Sequence, residues 1–260
     1  MAEKTGLLLV AYGAGSSQSA KILRNVSDVA EKRFGLPARW AYTSEAMRLR
    51  LAHARTKSDS VHKALIKMHF ERYTQVAVQT LHLIPGLEFF DVLADIESAR
   101  SKTNLNISIG QPLLPDAVMC EKAASAILSR IPVDRTQHEA VVCMAHGSKH
   151  PAESCYVSFA AAVSRYEPLF YVGCMKGAIL LEDIFEKLAQ QNVETVWLLP
   201  LLSVTGKHSS EDMGGLSSKS WKSQIEQAGY KCHVDLRGLA EFPEFITLWL
   251  DNLEAALDML

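Results

Sequence analysis

No stretch of this 260-residue chain approaches the ~20 consecutive apolar residues that a membrane-crossing helix needs, so no membrane partner is expected. No sign of charge dominates: 27 Lys and Arg stand against 29 Asp and Glu, a formal net charge of −2. Without a basic stretch to track a phosphate backbone, nucleic acid is not expected as a partner either. Cysteine is sparse. The five residues Cys120, Cys143, Cys155, Cys174 and Cys232 are odd in number and form no CxxC. Most lie in apolar segments and are expected to be free thiols in a reducing compartment. The opening MAEKTGLLLVAYG lacks the longer apolar core and small-residue cleavage site of a secretory signal, so the expected address is cytoplasmic. What the chain does have is core material. Hydrophobic residues make up 48% and charged residues 22%, ordinary for a globular protein. The length suits one large or two small domains.

Short apolar runs alternate with longer helical patterns. Strands are expected at 6–12, 38–43, 75–81, 106–110, 140–145, 169–174, 195–201 and 232–236. Between them, segments such as SAKILRNVSDVAEKRF and LLEDIFEKLAQ place apolar residues three and four apart, the helical spacing. Several strands are apolar on both faces, as in a parallel sheet covered by helices on both sides. The fold class expected is therefore α/β and doubly wound. The polar IPVDRTQHE (131–139) is the best candidate for a linker. It divides a first lobe, 1–131, completed by the C-terminal helix 242–260, from a second lobe, 138–241.

The two halves resemble each other. Placing Val76 on Val196 puts Gly86 on Gly206 and Glu88 on His208, while LLLVAYGAGS laid on VVCMAHGSKH puts Tyr12 on His146 and Gly13 on Gly147. Repeated lobes commonly face each other across a pseudo-twofold axis. Ligands of open α/β sheets bind beyond the carboxyl ends of the strands. His146, His208 and Glu88 are thus expected at strand ends opening into one cleft. Two imidazoles and a carboxylate suit a divalent borderline metal such as Co²⁺, Fe²⁺ or Zn²⁺. A lone strand-end histidine is usually structural or solvated; two histidines and a glutamate at related positions of a repeat favour function. Other motifs are weaker. GAGSSQ has Gln18 where a dinucleotide fingerprint needs its third glycine, and GSKH is no nucleophile elbow. His138 and His146 stand at opposite ends of one strand and cannot share an ion. His53, His62 and His69 read as surface residues, and His150 as a helix starter near the cleft. His82 fits either a core or a site role. Arg48 and Arg50 read as a solvated helix face that an acidic ligand could also meet.

The segments HGS (146–148), LHLIPGLE (81–88), TGKHSSEDM (205–213), YTSEAM (42–47), SKSWKSQIEQAGY (218–230) and LRGLAEFP (236–243) together resemble the CbiK-type sirohydrochlorin cobaltochelatases. These belong to the class II chelatases, and the resemblance runs nearly end to end. It implies two flavodoxin-like lobes with a tetrapyrrole between them. It also implies ATP-independent insertion of Co²⁺ into sirohydrochlorin during anaerobic cobalamin synthesis, with Fe²⁺ insertion toward sirohaem as a second capacity. No prosthetic group is implied: the metal is a substrate, beside sirohydrochlorin. Residue by residue, the resemblance makes His146 the catalytic histidine and a metal ligand, His208 the second metal histidine, and Glu88 a metal and proton-handling carboxylate. This chain departs from the family pattern at MKG, where Lys176 stands in place of a glutamate, and at GKHSSEDM, which carries Lys207 and Ser209. Either Glu88 or water then completes the metal shell, or Lys176 meets a substrate carboxylate, with Tyr12 as a further substrate contact. A rival reading is a non-catalytic metal or tetrapyrrole carrier. The oligomeric state stays open, a homo-oligomer included.

Overall fold

A computed structural model describes residues 3–53 and 58–260, the side chains of residues 207–209 excepted. Along the chain, β1 (Thr5–Ala11) leads into α1 (Ser17–Phe34), and β2 (Ala38–Tyr42) is followed by α2 (Glu45–His53) and α3 (Val61–Phe70). Then come β3 (Gln75–Thr80), α4 (Leu87–Arg100), β4 (Asn106–Ile109) and α5 (Ala117–Leu128). The second series runs β5 (Glu139–Ala145), α6 (Ser154–Ser164), β6 (Phe170–Cys174), α7 (Leu181–Gln190), β7 (Thr195–Leu201), α8 (Lys207–Gly214), α9 (Trp221–Gln227) and β8 (Lys231–Val234). The last helix is α10 (Pro243–Leu257).

Two four-stranded parallel sheets result, ordered β2-β1-β3-β4 and β6-β5-β7-β8. Both share one strand order, second-first-third-fourth, the flavodoxin-like arrangement, so the expected α/β doubly wound class is what forms. The cause is legible in β1, where Leu7, Leu8, Leu9 and Val10 are all fully buried. A strand that hides alternate side chains on both faces needs a covering layer on each side. Each such side chain stabilises the fold by about 1.5–3 kcal/mol. Helix starts are set by local chemistry. The hydroxyls of Ser16 and Ser60 and the carboxylate of Asp116 accept the backbone N–H of Ser19, Lys63 and Met119. Gly35 closes α1 at φ +65, a left-handed turn that only glycine adopts without cost.

The chain divides into one compact unit of residues 1–113 with 246–260 and another of residues 114–245. In the first, α10 is tied to α1, and the chain end just past it to β3 and β4. Trp249, Leu250 and Leu253 are buried, Arg33 pairs with Asp251 and Glu254, and the Gln75 and Asn106 amides donate to the Leu260 carbonyl. In the second, Arg130 plays the corresponding part. Its guanidinium is fully buried, donates to the carbonyls of Pro200 and Arg237, and lies over the Phe242 ring at 4.2 Å.

Candidate active site

In this strand order the chain reverses direction of growth between β1 and β3, and again between β5 and β7. In each sheet taken by itself, the loops leaving those strands flank that sheet's own switch-point crevice, where open α/β sheets bind ligands. Tyr12 follows β1, and Glu88 opens the first turn of α4 just after β3. His146 follows β5, and His208 is the second residue of α8, after β7. Each candidate therefore occupies the switch point of its own unit. Tyr12 is 53% exposed.

His146 is exposed and its backbone is fixed. The β5–β6 ladder continues past its last strand pair: the N–H groups of Met175 and Lys176 donate to the carbonyls of Ala145 (2.9 Å) and His146 (3.1 Å). Gly147 must be glycine. Its φ is +82, and a Cβ there would stand 1.5 Å from the Lys176 carbonyl oxygen. This close approach brings His146 and Lys176 together. Desolvation, and then the nearby Lys176 ammonium, hold the His146 imidazole below its ordinary pKa against an opposing pull from Asp212. The ring is accordingly neutral at physiological pH, the form that accepts a proton or binds a metal. Asp212 was not among the candidates from sequence. It sits in polar α8, and only the fold shows its charge reaching His146.

The loop carrying His208 is held from beneath. Thr205 Oγ1 donates to the Leu236 carbonyl, and the N–H groups of Leu239 and Ala240 donate to Leu202 and Ser203. Gly238 lies flat on this loop, where a Cβ would meet Ser203 O at 2.8 Å. The segment LRGLAEFP thus seats the VTGKH turn. The side chain of His208 lies outside the described residues.

Glu88 has an unexpected neighbour. His82 Nε2 stands 3.3 Å from Glu88 Oε2, while His82 Nδ1 lies 2.5 Å from Thr80 Oγ1. The separation would permit an ion pair. Burial instead lowers His82 to about 4, so the contact is between a neutral imidazole and a carboxyl group. Desolvation, and then the charge of Asp91, raise the Glu88 carboxyl above the ordinary carboxylate range. His82, left open between core and site by sequence, is a buried partner of Glu88. Among the described residues no three His, Cys, Asp or Glu side chains stand close enough together to hold a metal ion.

A sequence model of the cobalt chelatase (CbiK) family matches residues 5–258. The chain belongs to the CbiK family. This CbiK-family chain is 48% identical over 259 residues to the sirohydrochlorin cobaltochelatase CbiKC of Nitratidesulfovibrio vulgaris, covering 99% of the chain and 92% of that relative. It is 29% identical over 201 residues to a sirohydrochlorin cobaltochelatase of Salmonella typhimurium, covering 77% and 75%. Among solved structures, SirB from Bacillus subtilis with Fe³⁺ matches at TM-score 0.73 and 16% identity, over 98% of this chain and 97% of that one. At that identity the last likeness speaks for the fold alone. Among the described residues of this CbiK-family chain, no helix is long and apolar enough to cross a membrane.

Proposed function

We propose that this chain is a sirohydrochlorin cobaltochelatase, inserting Co²⁺ into sirohydrochlorin without ATP in anaerobic cobalamin synthesis. The observation that carries the reading is the 48% identity to CbiKC over 99% of the chain. Insertion exchanges two pyrrole N–H protons for one divalent ion. The protein therefore has to supply a proton acceptor and a place from which the ion is delivered. His146 is the acceptor in this reading: neutral at pH 7, exposed, and beside a cation that disfavours the protonated ring, so a captured proton passes on to solvent. His208 and Glu88 handle the ion, with His146 as a further ligand. The raised Glu88 carboxyl suits it to carry protons as well. Lys176 and Tyr12 meet the substrate, the ammonium facing one of its carboxylates. Fe²⁺ is a second metal substrate, since imidazole and carboxylate donors suit both ions.

The cytoplasm is the proposed compartment. All five cysteines are unpaired, and burial raises Cys143 and Cys174 to about 12, the state of inert thiols. The roles separate kinetically. His208→Ala should raise the apparent KM for Co²⁺ and leave that for sirohydrochlorin near the wild-type value. A change confined to the tetrapyrrole KM would remove His208 from the metal.

A further inference from the structure

The turn after His146 carries a carboxylate that the reaction just described does not use. Glu153 ends a short 3-10 turn (Pro151–Glu153) ahead of α6 and is only 7% exposed. One of its oxygens, Oε2, accepts the backbone N–H of Ser148 at 2.7 Å; the other, Oε1, accepts that of Ala178, also at 2.7 Å. Ser148 lies two residues past His146, and Ala178 two residues past Lys176. The two strands run side by side as far as the Ala145–Cys174 pair, and two further backbone bonds extend the ladder to His146 and Lys176. There it stops, because Gly147 (φ +82) and Gly177 (φ +131) turn both chains into left-handed conformations. The carboxylate takes over at that point as one more rung. It packs so closely on Gly177 that a Cβ there would stand 2.0 Å from Oε2. An anionic acceptor makes each of these bonds stronger than a neutral pair. Its place ahead of α6 also sets the charge against that helix's positive end.

We propose that Glu153 is a positioning residue for metal insertion: it clamps the two loops that present His146 and Lys176, keeping the imidazole where the pyrrole proton must be taken. The inference rests on the cobaltochelatase reading above. An amide in place of the carboxylate keeps one acceptor and turns an N–H donor toward an N–H donor, so one loop is released.

The test is Glu153→Gln, measured for Co²⁺ insertion per folded molecule and for hydrogen exchange at the Ser148 and Ala178 amides. The expected result is faster exchange at one or both amides, kcat lower by about 10-fold or more, and a sirohydrochlorin KM within about 3-fold of wild type. A merely structural brace would lower the melting temperature and leave kcat unchanged; faster exchange with normal kcat overturns the proposal. If Glu153→Gln does not fold, Gly177→Ala displaces the same carboxylate from the other side. It should show the same loss in kcat, and normal turnover there would also overturn the clamp. Failure of the wild type to insert Co²⁺ would instead strike the proposed function. Exchange at the two amides would still decide whether Glu153 holds the loops.

Discussion

A histidine that takes a proton from a pyrrole N–H at neutral pH must itself be unprotonated there. Desolvation, with Lys176 in support, places His146 below its ordinary range, so the acid limb of the kcat profile belongs below pH ~6.5. Lys176→Met removes one of the two lowering influences. The imidazole then keeps its proton to higher pH, and the limb should move up while the alkaline plateau stays; an unmoved limb would mean the ammonium does not act on the ring. His82 leaves a different mark, on stability. Its folded value of about 4 lies under the ordinary 6.5, so only the unfolded chain binds the proton between them. Stability present above pH 6.5 is lost as pH falls toward 4, about 3 kcal/mol in full. Glu88, raised by burial, has the opposite sign and is common to both proteins compared. Wild type should lose denaturant resistance from pH 6.5 to 4.5 more steeply than His82→Gln; parallel curves would contradict a buried neutral ring. Of these residues, His146, Glu88 and His208 stood out in sequence because each follows an apolar strand. Asp212 and Glu153 did not, since a contact across loops leaves no spacing in the chain, and His82 reads from sequence as either core or site. Lys176 was noticed only as a departure from the family pattern.

At the scale of elements, each expected strand forms within two residues of its bounds, and β1 and β5, buried on both faces, announce themselves most plainly. Two helices carry little apolar signal: α2 is legible only as the solvated face of Arg48 and Arg50, and α8 is not legible. No residue of α2 is buried, so it has no apolar stripe to betray it, and α8 reads KHSSEDMG, polar but for its buried Met213. Such helices are held by their flanks: the Arg48 guanidinium of α2 donates to the carbonyls of Tyr42 and Thr43. The closing helix is the contrary case. Removing residues 246–260 exposes the surfaces that Trp249, Leu250 and Leu253 cover and strips Arg33 of both its carboxylates. Losing those three buried apolar groups, at about 1.5–3 kcal/mol each, removes an amount comparable with the ~5–15 kcal/mol that a folded domain holds in reserve. The truncated chain should therefore be cut rapidly within residues 1–113 by a dilute protease. Resistance there equal to that of the intact chain would show that α10 is dispensable.

On the scale of the whole molecule, a strand order used twice turns one binding geometry into two sets of strand-end loops. The repeat places a carboxylate after the third strand of one unit and a histidine after the corresponding strand of the other. Chelation asks for that diversity, because ion delivery and proton removal need different side chains. Membership of the CbiK family fixes the class of chemistry, and the strand-end histidine supplies its most direct handle. The decisive measurement is anaerobic: sirohydrochlorin and Co²⁺ are mixed with the wild type or with His146→Ala, and the absorbance change on metal insertion is followed. The account predicts rapid insertion by the wild type and a rate about 10²-fold or more lower for a variant with an unchanged circular dichroism spectrum. Tetrapyrrole binding by both proteins, with insertion no faster than in free solution, would contradict it and leave a carrier in place of an enzyme.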